Sequence, residues 1–242
     1  MIYMFFMEIA KFYSPNFNQK KRSNKSIKLI IIHYTGMQSE RESIKRLTSL
    51  QSKVSCHYLI NRRGKILRLV KDQNIAWHAG KSMWGKYKNL NKNSIGIELV
   101  NKGHRYGYQA FPKIQIKKLI DLCRNLKRKY KIKNKFILGH SDIAPLRKID
   151  PGEKFPWGYL SSKGIGIYAL KIVGENRWEK NDNIEKLFKN LRRIGYRYLK
   201  RKFKNKIIKN FQRRYRQNRV DGILDLETLK ISEILAKKSN IT

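Results

Sequence analysis

Cysteine, acid and long apolar runs are all scarce in this chain. Its 242 residues contain 2 cysteines, and 17 acidic residues stand against 56 lysines and arginines. Cys56 and Cys123 have no CxxC or paired spacing, which excludes a disulfide framework and fits a reducing compartment. No stretch approaches the ~18 apolar residues of a membrane span. The opening run, MIYMFFM, is short, lacks a basic leader and is broken by Glu8. That pattern argues against a secretory signal and favours the cytosol. The shortage of acid leaves a net charge of +39. Such a charge attracts a polyanion, whether nucleic acid, an anionic membrane face or an acidic glycan, although a coding bias toward Lys, Asn and Ile produces the same excess. Hydrophobic content of 40% excludes wholesale disorder. The length suits one medium domain with a small one attached.

Read in order, residues 11–26 are polar and predict an irregular arm. Ile27 to Tyr34 is a strand, too uniformly apolar to be exposed on either face. Ser39 to Ser52 has Ile44, Leu47 and Leu50 at helical spacing, with Ser39 and Glu42 placed as a capping box. Val54–Asn61 and Lys65–Val70 flank Arg62-Arg63-Gly64 as a hairpin. In Ser94–Val100, Ile95, Ile97 and Leu99 face one way and Ser94, Gly96 and Glu98 the other. Lys113–Tyr130 is an amphipathic helix with Cys123 on its apolar face. A strand, Lys135–Gly139, then leads into a loop. From Ile184 onward three helical stripes follow, the first ending at Gly195 and the last starting near Asp225. Between Lys186 and Arg219 there are 15 Lys/Arg and no acid.

The stretch from Gly139 to Trp157, GHSDIAPLRKIDPGEKFPW, organises the rest. His140 follows directly on an apolar strand, and Asp150 lies ten residues later between Lys148 and Pro151. His33 ends the earlier strand IKLIIIH. Two histidines and a carboxylate are the ligand set of an open, catalytic zinc site, which keeps its fourth position for water or substrate. Each histidine taken alone is more often a structural residue than a ligand. A carboxylate in a buried strand, as at Glu98, needs a partner, and a metal site with its water is one; on an exposed edge strand Glu98 is merely solvated. Trp77 can form a substrate wall or plug the core, and His57 can be a core-facing strand residue or a site residue.

The joint pattern is more specific. IIIHYTG, HYLINRRG, WHAG, SIGIELVN, GHSDIAP and RKIDPG occur in family order between Lys28 and Trp157. Together they resemble the zinc N-acetylmuramoyl-L-alanine amidases of the AmpD/AmiD type, the amidase-2 family related to peptidoglycan-recognition proteins. The resemblance implies an α/β fold with a mixed central β-sheet flanked by helices, followed by a small three-helix domain. It implies one Zn²⁺ held by His33, His140 and Asp150, with Glu98 and Lys148 as catalytic residues. It also implies substrate contacts from His57, Trp77 and His78. Some phage members carry a catalytic tyrosine where this chain has Cys56, so their tyrosine mechanism does not transfer, and no motif supports a thiol nucleophile. FQRRYRQNRVDGILDLETL resembles the small peptidoglycan-binding domain often attached to such amidases. The domain layout expected is an arm (1–26), a zinc amidase domain (27–174), a linker (175–183) and a three-helix peptidoglycan-binding-like domain (184–242). With that layout, a chain cut near Arg177 is expected to fold and bind zinc. The implied substrate is peptidoglycan or its soluble anhydro-muropeptides, cut by a monomer with no specific nucleic-acid partner. The alternatives are a non-catalytic peptidoglycan binder or a basic nucleic-acid binder. A wall-binding region points to the cell envelope and the missing leader to the cytosol.

Overall fold

Leu29 to His33 are buried without a break, and the cause is their place inside a sheet covered on both faces. The computed structural model describes residues 9–169, 177 and 179–239. Its strands are β1 (Ile9–Lys11), β2 (Phe17–Asn18), β3 (Leu29–Tyr34), β4 (Tyr58–Ile60), β5 (Ile66–Arg68), β6 (Ile75–Ala76), β7 (Met83–Trp84), β8 (Tyr87–Lys88), β9 (Ser94–Leu99) and β10 (Ile137–Gly139). Its helices are α1 (Glu40–Thr48), α2 (Lys113–Tyr130), α3 (His140–Ile143), α4 (Trp157–Ser162), α5 (Ile184–Ile194), α6 (Lys204–Tyr215) and α7 (Leu226–Ser239). A six-stranded sheet runs in the order β1-β5-β4-β9-β3-β10. The β4–β9, β9–β3 and β3–β10 pairs are parallel, while β4 and β5 form the antiparallel hairpin expected around Arg62-Arg63-Gly64. The fold is therefore mixed α/β, as the sequence pattern implies.

The period-2 alternation sorts residues to the two faces. Ile30, Ile32, Ile95, Ile97 and Leu99 pack against Ile116, Leu119, Ile120, Cys123 and Leu126 of α2. Ser39 caps α1 as the sequence predicts, with Glu42 N donating to its Oγ, but the reciprocal bond of a capping box is displaced by one residue: Glu42 Oε2 accepts from Gln38 N and not from Ser39 N.

Two expectations are revised. Residues 11–26 are largely irregular, as expected, but they are packed against the domain: β1, ending at Lys11, adds a parallel edge strand to β5, and β2 pairs with β6. Buried Ser14, Asn16 and Arg22 anchor the stretch, because their side chains supply donors to backbone carbonyls of later loops. The helices after residue 183 do not stand apart either. Leu29, Ile31, Leu138 and Ile143 from the sheet side share one apolar core with Leu187, Leu191, Ile207, Phe211 and Leu235 from α5–α7. Trp84 stacks edge-on to Tyr196 with ring centroids 4.8 Å apart. The end of the expected amidase domain (170–174) and part of the expected linker (175, 176 and 178) lie outside the described residues.

Candidate active site

Parallel pairing places the site. In the β3–β10 ladder Ile32 lies opposite Gly139, so His33 and His140 both emerge one residue beyond that pair, at the C-terminal ends of neighbouring strands. Open α/β sheets bind ligands at such ends. In the β3–β9 ladder His33 lies opposite Glu98, which brings the carboxylate to the same end and face. The loop after α3 folds back, with Ser141 N donating to Asp150 O (2.9 Å), and returns Asp150 to His140.

Three atoms converge there. His33 Nδ1 and His140 Nδ1 are 3.0 Å apart, and Asp150 Oδ2 lies 3.2 Å from the first and 3.1 Å from the second. A tetrahedral ion with bonds of ~2.0–2.1 Å needs ligand edges of about 3.3 Å, so a few tenths of an ångström of expansion accommodates one. Ring orientation supports the same use. His140 Nε2 faces the Ala79 carbonyl at 3.2 Å and Arg147 Nη2 at 3.4 Å, which leaves Nδ1 as the ring nitrogen turned toward the cluster. Burial, with His140 beside it, lowers His33 to about 4 against the pull of Asp150, so the ring is neutral at pH 7. Burial alone would raise the Asp150 carboxyl, but His140 and then His33 hold it well below the usual carboxylate range. Two imidazoles and a carboxylate, all buried, are a donor set that fits zinc.

A cleft of about 650 Å³ opens over these atoms. Glu98, Lys148 and Trp77 line it together with His33, His140 and Asp150. Burial, and then Asp150, raises Glu98 to about 8, and its buried Oε2 has no hydrogen-bond partner among the described residues. Trp77 is a wall and not a core plug: it is half-buried, and its Nε1 donates to Asn18 Oδ1 (2.8 Å).

The other two histidines are corrected. His57 is 0% exposed and lies outside the cleft lining. Its Nδ1 accepts from Gly96 N (3.0 Å), and its Nε2 sits 2.8 Å from Arg22 Nη2 and 3.1 Å from Asn74 O. No ring atom is left for substrate, so it is a core residue. His78 touches the cleft, but both of its nitrogens are engaged. Nδ1 lies 3.1 Å from His33 Nε2, and Nε2 lies 3.1 Å from Ser94 Oγ, whose hydroxyl donates to Leu90 O. With His33 Nδ1 turned to the ligand cluster, the donors run one way: His33 Nε2–H to His78, His78 Nε2–H to Ser94, and Ser94 to a carbonyl. His78 therefore orients a ligand. Gly96 makes room for it, since a Cβ there would lie 2.4 Å from His78 Cγ. Gly96→Ala and His78→Ala are each expected to weaken metal affinity about 10–100-fold, read by chelator competition. Unchanged affinity in His78→Ala would overturn this role.

Sequence reasoning missed several side chains. Asn91 Oδ1 accepts from His78 N (3.1 Å) and Ala79 N (2.7 Å), fixing the WHAG turn. Arg147 ties that turn to the Asp150 loop by donating to the carbonyls of Lys81 and Ala79. Arg46 and Arg105 also line the cleft. Only Arg147, next to Lys148, carried a signal, and in so basic a chain it reads as solvated. Cys56 is fully buried and burial raises its thiol well above the ordinary range, so it is no nucleophile.

Residues 23–153 match the family model described as N-acetylmuramoyl-L-alanine amidase. This chain belongs to that family. Along its sequence it is 35% identical over 233 residues to N-acetylmuramoyl-L-alanine amidase AmiD of Escherichia coli K12, a match covering 88% of this chain and 83% of the relative. It is 34% identical over 168 residues to the 1,6-anhydro-N-acetylmuramyl-L-alanine amidase AmpD of Haemophilus influenzae, covering 62% of this chain and 89% of that one. Among solved structures, the complex of E. coli AmiD with anhydro-N-acetylmuramic acid-L-Ala-D-gamma-Glu-L-Lys superposes with TM-score 0.80 at 34% identity, covering 91% of this chain and 92% of that chain. AMPDH3 of Pseudomonas aeruginosa follows with TM-score 0.77 at 29% identity, covering 93% and 96%. Both structural matches reach into the C-terminal helices of this amidase, because their coverage exceeds what residues 1–183 could supply. No helix among the described residues is long and apolar enough to cross a membrane.

Proposed function

We propose that this amidase binds one zinc ion through His33, His140 and Asp150 and hydrolyses the amide between the lactyl group of N-acetylmuramic acid and L-alanine. The convergence of three buried ligand atoms under a cleft that also holds Glu98 and Lys148 carries this reading. Bound zinc supplies Lewis acidity toward the scissile carbonyl and toward water. Glu98 Oε2 takes the proton of the attacking water and returns it to the departing L-alanine nitrogen; a carboxyl raised by burial is suited to both transfers. Lys148 Nζ offsets the negative charge that grows on the carbonyl oxygen, a role whose loss typically costs about 10²–10³ in rate. Trp77 supplies an apolar wall for sugar and peptide carbons.

Charge favours a muropeptide over an uncharged amide. Arg46, Arg105, Arg147 and Lys148 outnumber Glu98 and Asp150 around the cleft. The muropeptide in the AmiD complex carries carboxylates of the kind these cations would attract. A non-catalytic binder has no use for three intact ligands with a proton carrier beside them. Soluble anhydro-muropeptides are the substrate form we favour, since the C-terminal helices pack on the catalytic sheet and a separate wall tether is not needed to explain them.

Metal analysis checks the centre. The unsubstituted chain is expected to hold one zinc, and Asp150→Ala to lose most of it. Stoichiometric zinc in a His33/His140 double variant would overturn the ligand set. Mass spectrometry of sacculi and of soluble anhydro-muropeptides after incubation with the zinc-loaded protein reads both the bond cut and the substrate form. Products still carrying L-alanine on the lactyl group would sink the amidase reading.

A further inference from the structure

Helix α6 turns two different faces toward the rest of the protein. Ile207, Ile208, Phe211 and Tyr215 enter the core shared with the sheet. Asn210, Arg213, Arg214 and Gln217 fall at i, i+3, i+4 and i+7, so they share a face that continues just past the helix end. All four end on residues 137–155, the segment that carries His140, Lys148 and Asp150. Asn210, 1% exposed, donates through Nδ2 to Pro145 O (2.6 Å) and Lys148 O (3.0 Å). Arg213 donates to Asn210 Oδ1 (2.7 Å) and pairs with Glu153 (3.4 Å). Arg214 donates to Ile137 O (3.1 Å) and forms a buried ion pair with Asp142, which also accepts from Tyr196 and from Gly139 N. Gln217 Nε2 donates to Glu153 O (2.6 Å) and Phe155 O (2.7 Å).

Five of these acceptors are backbone carbonyls. A loop that leaves its sheet has few partners of its own for them, and buried carbonyls must be paired. Here the donors come from a helix more than fifty residues away in sequence. Fixing the Lys148 carbonyl fixes the backbone from which its ammonium extends, and it anchors Asp150 two residues on.

We propose that α6 is the positioning element of the ligand loop, with Asn210 and Gln217 setting where Lys148 and Asp150 stand. The C-terminal helices thereby complete the catalytic centre, whatever else they bind. This positioning role rests on His33, His140 and Asp150 being the zinc ligands.

The test compares Asn210→Ala and Gln217→Ala with Asn190→Ala. Asn190 is a control of like burial within the same helices: its hydrogen bond, to Ser232 Oγ at 2.9 Å, joins α5 to α7 and not to residues 137–155. Zinc affinity is measured by chelator competition, kcat and KM on a soluble muropeptide, and Tm by melting, with all assays far below the lowest Tm. Asn210→Ala is expected to weaken zinc about 10-fold or more, the range for residues that orient ligands, and to lower kcat more than it raises KM. Gln217→Ala, at a half-exposed position where folding is preserved, is expected to shift both in the same direction by less. Asn190→Ala is expected to lower Tm alone. If Asn210→Ala and Gln217→Ala lower Tm but keep the unsubstituted zinc affinity and kcat, the positioning role is wrong while the metal centre stands. If the unsubstituted chain itself binds no zinc, the metal reading falls and this proposal with it.

Discussion

Replacing Glu98 with glutamine is expected to leave the zinc content unchanged while muropeptide turnover falls about 10²–10⁴-fold, the usual worth of a positioned acid–base group. The reason is geometric. Glu98 lies across the ladder from His33 and lines the same cleft, yet it is not among the three atoms that converge as ligands. Its buried Oε2 has no hydrogen-bond partner among the described residues, so an amide in its place disturbs little of the fold. Glutamine cannot accept a proton at neutral pH, and both the attack of water and the departure of the amine lose their carrier. Turnover and metal content measured on the same preparation separate the two effects. Near-normal turnover would show that another group moves the proton; zinc loss with turnover would make Glu98 a ligand.

The second large effect is expected from truncation. A chain ending near Arg177 is predicted by the sequence to remain folded and to bind zinc, but the structure leads to the opposite expectation. Leu29, Ile31, Leu138 and Ile143, each 0–1% exposed, share their core with α5–α7. Uncovering a handful of such side chains, at about 1.5–3 kcal/mol each, approaches the whole ~5–15 kcal/mol stability of a typical domain. Asp142 would lose Arg214 and Tyr196 together, directly beside His140. Breaking a buried ion pair from one side costs about 3–5 kcal/mol when the remaining charge stays buried. The truncated chain is therefore expected to be poorly soluble or to melt far below the full chain, with zinc bound substoichiometrically. Circular dichroism melting and metal analysis decide it. A truncated protein with the Tm and zinc content of the full chain would show that the shared core contributes little.

Much of the ligand set could be read without coordinates, because its residues sit at strand ends where local patterning is strong. His33 closes a run of buried isoleucines, His140 follows a glycine at the end of another strand, and Glu98 stands on the polar side of an alternating strand. The helix bounds at Lys113 and Tyr130, the cap at Ser39 and the stop at Gly195 were equally local, set by a 3.6-residue period, a hydroxyl acceptor and a residue tolerant of positive φ.

What tertiary structure alone decided concerns partners far apart in sequence. Nothing in HYLI or WHAG separates His57 from His78; the difference is that Arg22 and Gly96 N occupy the first ring while His33 and Ser94 occupy the second. Arg213 and Arg214 read as part of a solvated basic face because a sequence shows charge but not what faces it. They point inward because a loop seventy residues earlier presents Asp142, Glu153 and unpaired carbonyls to them. Periodicity marked the apolar stripes of α5–α7 without saying whether they close on one another or on a neighbour. Their docking followed from the open apolar face of the sheet, a surface that exists only once β3 and β10 have paired.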